Sequence, residues 1–181
     1  MLPAAQITER NLILTGYLEP NKPRIGRQIA ERLGMRFVDI EELLEQRLEM
    51  TLAEARKLYG ERHILAIQDD VMADLPLYRA TLMRINGSAL ASYDHLPALR
   101  QTAFIICLVA RLDAILRRMH LTLGARYHNP AERAIAIGEL KREWAVRKLA
   151  GIHELDVTDQ DDASIVAEVM QLWQNIAIER I

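Results

Sequence analysis

Residues 11–23 read NLILTGYLEPNKP, and this stretch decides the fold because it joins an apolar strand to the start of a helix. Residues 11–17 form a run that is typical of a buried strand. Residues 23–33 carry apolar side chains at helical spacing and open on a proline, which suits the first turn of a helix. A strand, a loop and a helix in this order are the setting of a phosphate-binding loop.

The loop between this strand and this helix matches the phosphate-binding pattern G-x-x-x-x-G-K-[ST] only in part. Gly16 and Lys22 stand where the first glycine and the lysine of the pattern belong. Asn21 replaces the second glycine, and Pro23 replaces the serine or threonine. If the protein binds a nucleotide, these four residues are the ones expected to contact it.

Three residues of the loop are unfavourable for binding a triphosphate. Pro23 has neither the hydroxyl that ligates magnesium nor the N–H that faces a phosphate at a helix start. Pro20 removes a further N–H group, and Glu19 places a carboxylate beside the expected phosphate position. Two like charges about 4 Å apart repel by about 4 kcal/mol at an effective dielectric constant of about 20. The loop is therefore predicted not to support ordinary phosphoryl transfer.

Length and composition limit the class of protein. The chain has 181 residues, of which 50% are apolar and 27% are charged, with a net charge of −2. These values predict one globular domain over residues 1–181 and no nucleic-acid partner. We expect a cytoplasmic protein without a membrane partner, because neither a membrane-spanning run nor a signal-peptide pattern is visible. Cys107 is the single cysteine, so no intrachain disulfide can form.

Short apolar strands alternate along the chain with longer helical patterns. Strands are predicted at residues 11–17, 36–39, 81–85, 104–109 and 155–158. Helices are predicted at residues 23–33, 40–46, 51–75 with a break near Gly60, 97–100, 112–121, 130–150 and 162–178. The strands lack polar alternation, which indicates a sheet covered on both faces. The predicted fold class is therefore α/β, a three-layer sandwich around a mostly parallel five-stranded sheet.

The carboxyl ends of the predicted strands give the first candidate site. Sheets of this kind bind ligands in the crevice outside those ends. Gly16, Asp39, Asn86 and Val109 all fall there. The sequence therefore places a glycine, a carboxylate and an amide at the edge of one cleft.

Residues 11–61, NLILTGYLEPNKPRIGRQIAERLGMRFVDIEELLEQRLEMTLAEARKLYGE, resemble the amino-terminal third of the shikimate kinases. The shared features are the order of strand, loop and helix, the segment FVDIEELLEQR, and a helix that ends in Gly-Glu. The resemblance extends from Asn11 to about Ile176. It implies a single-domain P-loop kinase fold and the activity of a small kinase that phosphorylates shikimate with ATP and magnesium.

The resemblance implies roles for two carboxylates after the second predicted strand. Asp39 corresponds to the residue that helps to hold magnesium through water, and Glu41 to the one that binds substrate hydroxyls. The residues themselves allow a second interpretation. Asp39 is suited to cap the following helix, and Glu41 to make a favourable contact with the helix dipole.

The substrate-binding positions implied by the resemblance are kept only in part. The arginine that would bind the substrate carboxylate is replaced by Leu65. Gly87 lies in the stretch that corresponds to three glycines after the third strand. Arg142 corresponds to a second substrate-binding arginine, although it belongs to a charged run of the kind that commonly lies in solvent.

The segment from His120 to Asn129 is the candidate lid loop, because it carries Gly124 and follows a helix rich in basic residues. The resemblance aligns Arg126 with the arginine of the lid motif. Arg126 is also compatible with a simple surface charge. No metal site is expected from the histidines, since their spacing does not place ligands on one helix face.

The sequence favours a shikimate-kinase-like protein that is not an active shikimate kinase. Its cleft would bind a small anion or metabolite between Lys22, Arg126 and Arg142, or a protein partner, without a cofactor. A structural role, including a homodimer, also remains open.

The alternative is an ATP-dependent small-molecule kinase that transfers a phosphoryl group to a hydroxyl. In that case Lys22, Asp39 and Arg126 are the catalytic residues, and ATP and magnesium are the cofactors. Asp39 would then hold the magnesium ion through water.

Overall fold

The computed structural model describes residues 9–16, 23–92 and 94–179. The strands are β1 (Asn11–Gly16), β2 (Arg36–Asp39), β3 (Thr81–Arg84), β4 (Ala103–Val109) and β5 (His153–Asp156). The α-helices are α1 (Arg24–Leu33), α2 (Ile40–Leu48), α3 (Leu52–Tyr59), α4 (Glu61–Asp74), α5 (Gly87–Ser92), α6 (Leu96–Thr102), α7 (Leu112–Leu123), α8 (Pro130–Trp144) and α9 (Asp162–Glu179). Short 3₁₀ helices cover Leu75–Leu77, Gly124–His128 and Ala145–Lys148.

The five strands form one parallel sheet in the order β2-β3-β1-β4-β5. This confirms the predicted α/β class and the parallel five-stranded sheet. Because all strands run the same way, their carboxyl ends meet at one edge of the sheet. Within the described ranges, no helix is long and apolar enough to cross a membrane.

The two faces of the sheet bury two separate apolar clusters, which is why the strands show no polar alternation. Ile13, Met83 and Ile105 point to the face that packs on α2, α4 and α6. Leu12 and Leu82, which alternate with those side chains, point to the face that packs on α1 and α9. The sheet is therefore the middle layer of three.

Several elements differ from the sequence predictions. Helix α5 was not predicted, because its short sequence GSALAS carries no helical periodicity. Strand β5 begins two residues earlier than predicted, and α8 ends at Trp144 and continues as a 3₁₀ helix instead of an α-helix. The predicted loop after His120 is helical, since α7 runs to Leu123 and a 3₁₀ helix follows. Movement of this segment as a lid stays a prediction.

The end of β1 is closely packed against β4. Gly16 has φ of +92° and pairs with Leu108. A Cβ atom at this position would lie 2.3 Å from the Leu108 carbonyl oxygen and 2.8 Å from Cys107 Sγ. Glycine is therefore required both by the backbone conformation and by the space between the strands.

We expect Gly16→Ala to lower the free energy of unfolding by about 3 kcal/mol, since the clash with backbone adds to the strain of a positive φ. Gly34→Ala is the matched control. Gly34 also has a positive φ of +66°, but its Cβ would meet nothing within 4 Å. The control should cost only about 1–2 kcal/mol. Urea denaturation measures both, and equal losses would contradict the close approach at Gly16.

Cys107 is fully buried on β4, and burial raises the pKa of its thiol to about 12. A folded-state pKa above the unfolded value of about 8.5 means that the thiol stabilises the fold fully below pH of about 8.5. This contribution is lost as pH rises toward 12. We expect the wild type to lose about 1–2 kcal/mol more than Cys107→Ala between pH 7.5 and pH of about 10. Denaturation curves at each pH measure this difference, and parallel pH profiles would contradict it.

Candidate functional site

The candidate site lies at the carboxyl edge of the sheet, where three strands end side by side. Asp39 ends β2 and is the register partner of Arg84, which ends β3. Gly16 ends β1, beside β3 and β4. The structure thus brings together the strand ends that the sequence had singled out, including Asn86, two residues beyond β3.

Asp39 is held by two contacts that occupy both of its carboxylate oxygens. Its Oδ1 accepts a hydrogen bond of 2.9 Å from the Glu41 backbone N–H, so Asp39 caps α2 as the sequence allowed. Its Oδ2 accepts a hydrogen bond from Arg84 Nη1, and the two side chains form a salt bridge. Asp39 is only 2% exposed and Arg84 only 6% exposed, so this ion pair is buried.

Glu41 belongs to the same cluster but reaches solvent. Its side chain is 39% exposed. Its Oε1 accepts a 2.9 Å hydrogen bond from Asn86 Nδ2, and its Oε2 lies 3.8 Å from Arg84 Nη1. The Arg84 guanidinium therefore serves both carboxylates of the predicted acidic pair, and Glu41 is the member that a ligand can approach.

Gly87 opens α5 against the carboxylate of Glu143 on α8. The Gly87 N–H donates a 2.5 Å hydrogen bond to Glu143 Oε2. The Ser88 hydroxyl and backbone N–H donate to Glu143 Oε1 at 2.8 and 3.3 Å. A Cβ atom on Gly87 would lie 2.3 Å from the Glu143 carbonyl oxygen, so glycine is needed for this approach. The N–H of Gly87, a predicted substrate-binding residue, is therefore engaged within the protein.

Pro23 immediately precedes α1, so the helix begins one residue later than predicted. Its φ of −64° is compatible with a helix start, and its carbonyl accepts a 3.0 Å hydrogen bond from the Arg27 N–H. Its side chain offers no oxygen to a cation. Asn21 and Lys22 lie outside the described residues, so their predicted contacts with a nucleotide stay predictions.

The remaining predicted residues lie at the surface. Leu65, at the position of the missing arginine, is 43% exposed on α4. Arg126 is exposed and forms a 2.6 Å ion pair with Glu132, which agrees with a surface charge. Arg142 is exposed on α8, next to Glu143. Roles of Arg126 and Arg142 in binding a ligand stay predictions.

Two residues of this site were missed by sequence reasoning. Arg84 carried a detectable signal, because a charged residue at the end of the apolar run TLMRI needs a partner when the run is buried. Glu143 carried none, because it belongs to a strongly charged run that is typical of a solvated face. Its role depends on the packing of α5 on α8, which the sequence pattern does not reveal.

The described residues do not favour direct coordination of a magnesium ion by the acidic pair. Both Asp39 oxygens already accept hydrogen bonds, and the cationic Arg84 occupies the space beside them. Position 23 has no hydroxyl to complete a coordination sphere. In the described part of the chain, no group of three or more His, Cys, Asp or Glu side chains is placed to hold a metal ion.

Comparison with known proteins decides the family. The family model described as shikimate kinase matches residues 21–174. The chain belongs to the shikimate kinase family. The shikimate kinase of Lactococcus lactis is 27% identical over 164 residues, which cover 90% of this chain and 98% of the relative. That of Thermoanaerobacter pseudethanolicus is 22% identical over 167 residues, which cover 91% of this chain and 96% of the relative.

Solved structures agree with the fold. The shikimate kinase of Acinetobacter baumannii, solved in complex with shikimate, superposes with a TM-score of 0.75 at 20% identity. The match covers 94% of this chain and 96% of that chain. The Bacteroides thetaiotaomicron enzyme gives a TM-score of 0.73 at 18% identity and covers 93% of this chain and 98% of that chain.

These comparisons confirm the predicted family and the P-loop kinase fold. They do not support equally the two functions that the sequence left open, a non-catalytic binding protein and an ATP-dependent kinase. Relatives that match over almost their whole length are shikimate kinases, which are ATP-dependent phosphotransferases. The comparisons therefore favour the kinase alternative over the non-catalytic function expected from the loop.

The buried pair predicts a strong coupling between two positions. Removing one partner leaves an uncompensated buried charge, so Arg84→Met and Asp39→Asn should each lower the free energy of unfolding by about 3–5 kcal/mol. The double variant should lose less than the sum by about 2–3 kcal/mol. Denaturant titration of the four proteins measures this coupling, and additive losses would show that the pair contributes no specific energy.

Proposed function

We propose that this protein is a small-molecule kinase that transfers a phosphoryl group from ATP to a hydroxyl of a small metabolite. Membership of the shikimate kinase family supports this proposal. The observation that carries it at the site is the Glu41 carboxylate, which is held by Asn86 Nδ2 and reaches solvent at the carboxyl edge of the sheet. A carboxylate in this position is suited to accept a hydrogen bond from the acceptor hydroxyl.

The roles in this proposal divide between two sets of residues. Lys22 and Arg126 are the cationic side chains that would neutralise phosphate oxygens. Glu41 would orient the acceptor hydroxyl, and Asp39 would position Glu41 because its carboxylate caps the helix that carries it. The replacement of the carboxylate-binding arginine by Leu65 supports an acceptor other than shikimate, or one bound by different contacts.

A second candidate function is supported by the contacts of Asp39 and Gly87. Both groups use their polar atoms inside the protein, Asp39 on Arg84 and Gly87 on Glu143. These contacts, together with Pro23 at the start of α1, support a non-catalytic protein that binds a small anionic metabolite in the cleft.

Release of ADP separates the two candidates. The protein is incubated with ATP and a panel of hydroxylated carboxylates, including shikimate, with and without added magnesium. The kinase proposal predicts ADP release that requires an acceptor and falls by about 10²-fold or more in Lys22→Ala, because a charge-stabilising donor is lost. Lys57→Ala, which removes an exposed lysine on α3, is the matched control and should keep full activity.

The non-catalytic candidate predicts a different result. If no acceptor supports turnover, while one of the same metabolites raises the melting temperature in an Arg126-dependent way, the non-catalytic candidate is correct. The double substitution Asn21→Gly and Pro23→Ser then tests whether the loop alone prevents nucleotide binding. Nucleotide binding restored by these two substitutions would show that the rest of the cleft still accepts a nucleotide.

A further inference from the structure

We propose that the Arg84 guanidinium is the built-in cation of the acidic pair Asp39 and Glu41, and that the cleft therefore binds its phosphate-bearing ligand free of a divalent metal ion. The choice of a phosphate-bearing ligand rests on the proposed function. The claim about Arg84 rests only on contacts within the chain.

The first step is the location of the charge. Arg84 Nη1 donates to Asp39 Oδ2 and lies 3.8 Å from Glu41 Oε2. The sheet register fixes this position, because Arg84 and Asp39 are direct partners on adjacent parallel strands. A single positive charge is thereby held between the two carboxylates that the resemblance assigns to magnesium and substrate.

The second step is coordination. Magnesium requires oxygen ligands in near-octahedral geometry at about 2.0–2.1 Å. Both carboxylate oxygens of Asp39 already accept a hydrogen bond, Oδ1 from the Glu41 N–H and Oδ2 from Arg84. The positive charge of the Arg84 guanidinium also repels a divalent ion beside either carboxylate, whether the ion binds directly or through a bridging water.

The third step is a donor of Arg84 that its described contacts leave unused. Arg84 Nε is buried and has no hydrogen-bond partner among the residues that the structure describes. Buried donors without a partner are rare in folded proteins.

Binding of Mn²⁺ tests the inference without any assay of activity. Water-proton relaxation is followed during titration of the wild type, Arg84→Met and Arg84→Lys. The wild type and Arg84→Lys, which keep a positive charge, should show no saturable Mn²⁺ binding below about 1 mM, whereas Arg84→Met should bind at least about 10-fold more tightly. Adding Asp39→Asn to Arg84→Met should abolish the new site. Arg47→Met, which removes an exposed arginine paired with Asp74, is the matched control.

Two outcomes would overturn the inference. One is saturable Mn²⁺ binding by the wild type that Asp39→Asn removes. The other is a folded Arg84→Met protein that gains no Mn²⁺ site. If Arg84→Met does not fold, the wild type, Arg84→Lys and Asp39→Asn are compared instead. Mn²⁺ binding by the wild type and Arg84→Lys that Asp39→Asn abolishes would contradict a built-in cation.

An activity measurement separates this inference from the proposed function. Any ADP release found with a panel acceptor should persist in excess EDTA, because the proposal has the phosphate-bearing ligand bound without a divalent ion. Strict dependence on magnesium would overturn the metal-free ligand and leave the kinase function intact. Absence of all turnover would count against the kinase function, while the Mn²⁺ titration would still judge the role of Arg84.

Discussion

The buried ion pair between Asp39 and Arg84 is the interaction on which the site depends. It joins the ends of β2 and β3, and through Asp39 it also fixes the start of α2. Two charges that are almost completely removed from water require close geometry and further hydrogen bonds to offset the loss of hydration. The parallel register supplies that geometry, because it places the last residues of the two strands directly beside each other.

This ion pair is the first of a series of contacts that position the neighbouring polar groups. The cap on α2 places Glu41 one residue into the helix, where Asn86 Nδ2 reaches its Oε1 from the segment after β3. The next residue in that segment, Gly87, begins α5, and its N–H donates a hydrogen bond to Glu143 Oε2. The charged and polar groups at the edge of the sheet therefore form a connected chain of contacts from β2 to α8, and a change at Arg84 would be felt along it.

The sequence predicted the sheet better than the site. Apolar runs without polar alternation indicated buried parallel strands, and the bounds of residues 36–39 placed Asp39 correctly at a strand end. The partner of Asp39 could not be read in the same way, since Arg84 lies 45 residues further along the chain and their pairing depends on strand register. The contacts of Glu143 could not be predicted for a related reason, because the partner of a charged residue on a helix depends on how the helices pack.

The contacts of Asp39 also bear on how its buried charge is compensated without a metal ion. A carboxylate that had merely lost its metal ion would remain buried and unpaired, which is strongly unfavourable. Asp39 is instead bonded through both oxygens, one of them to a cation supplied by the adjacent strand. Pro23 lacks a hydroxyl for a metal ion, and Arg84 places a positive charge between Asp39 and Glu41. Pro23 and Arg84 are thus consistent with each other under the proposed metal-free binding.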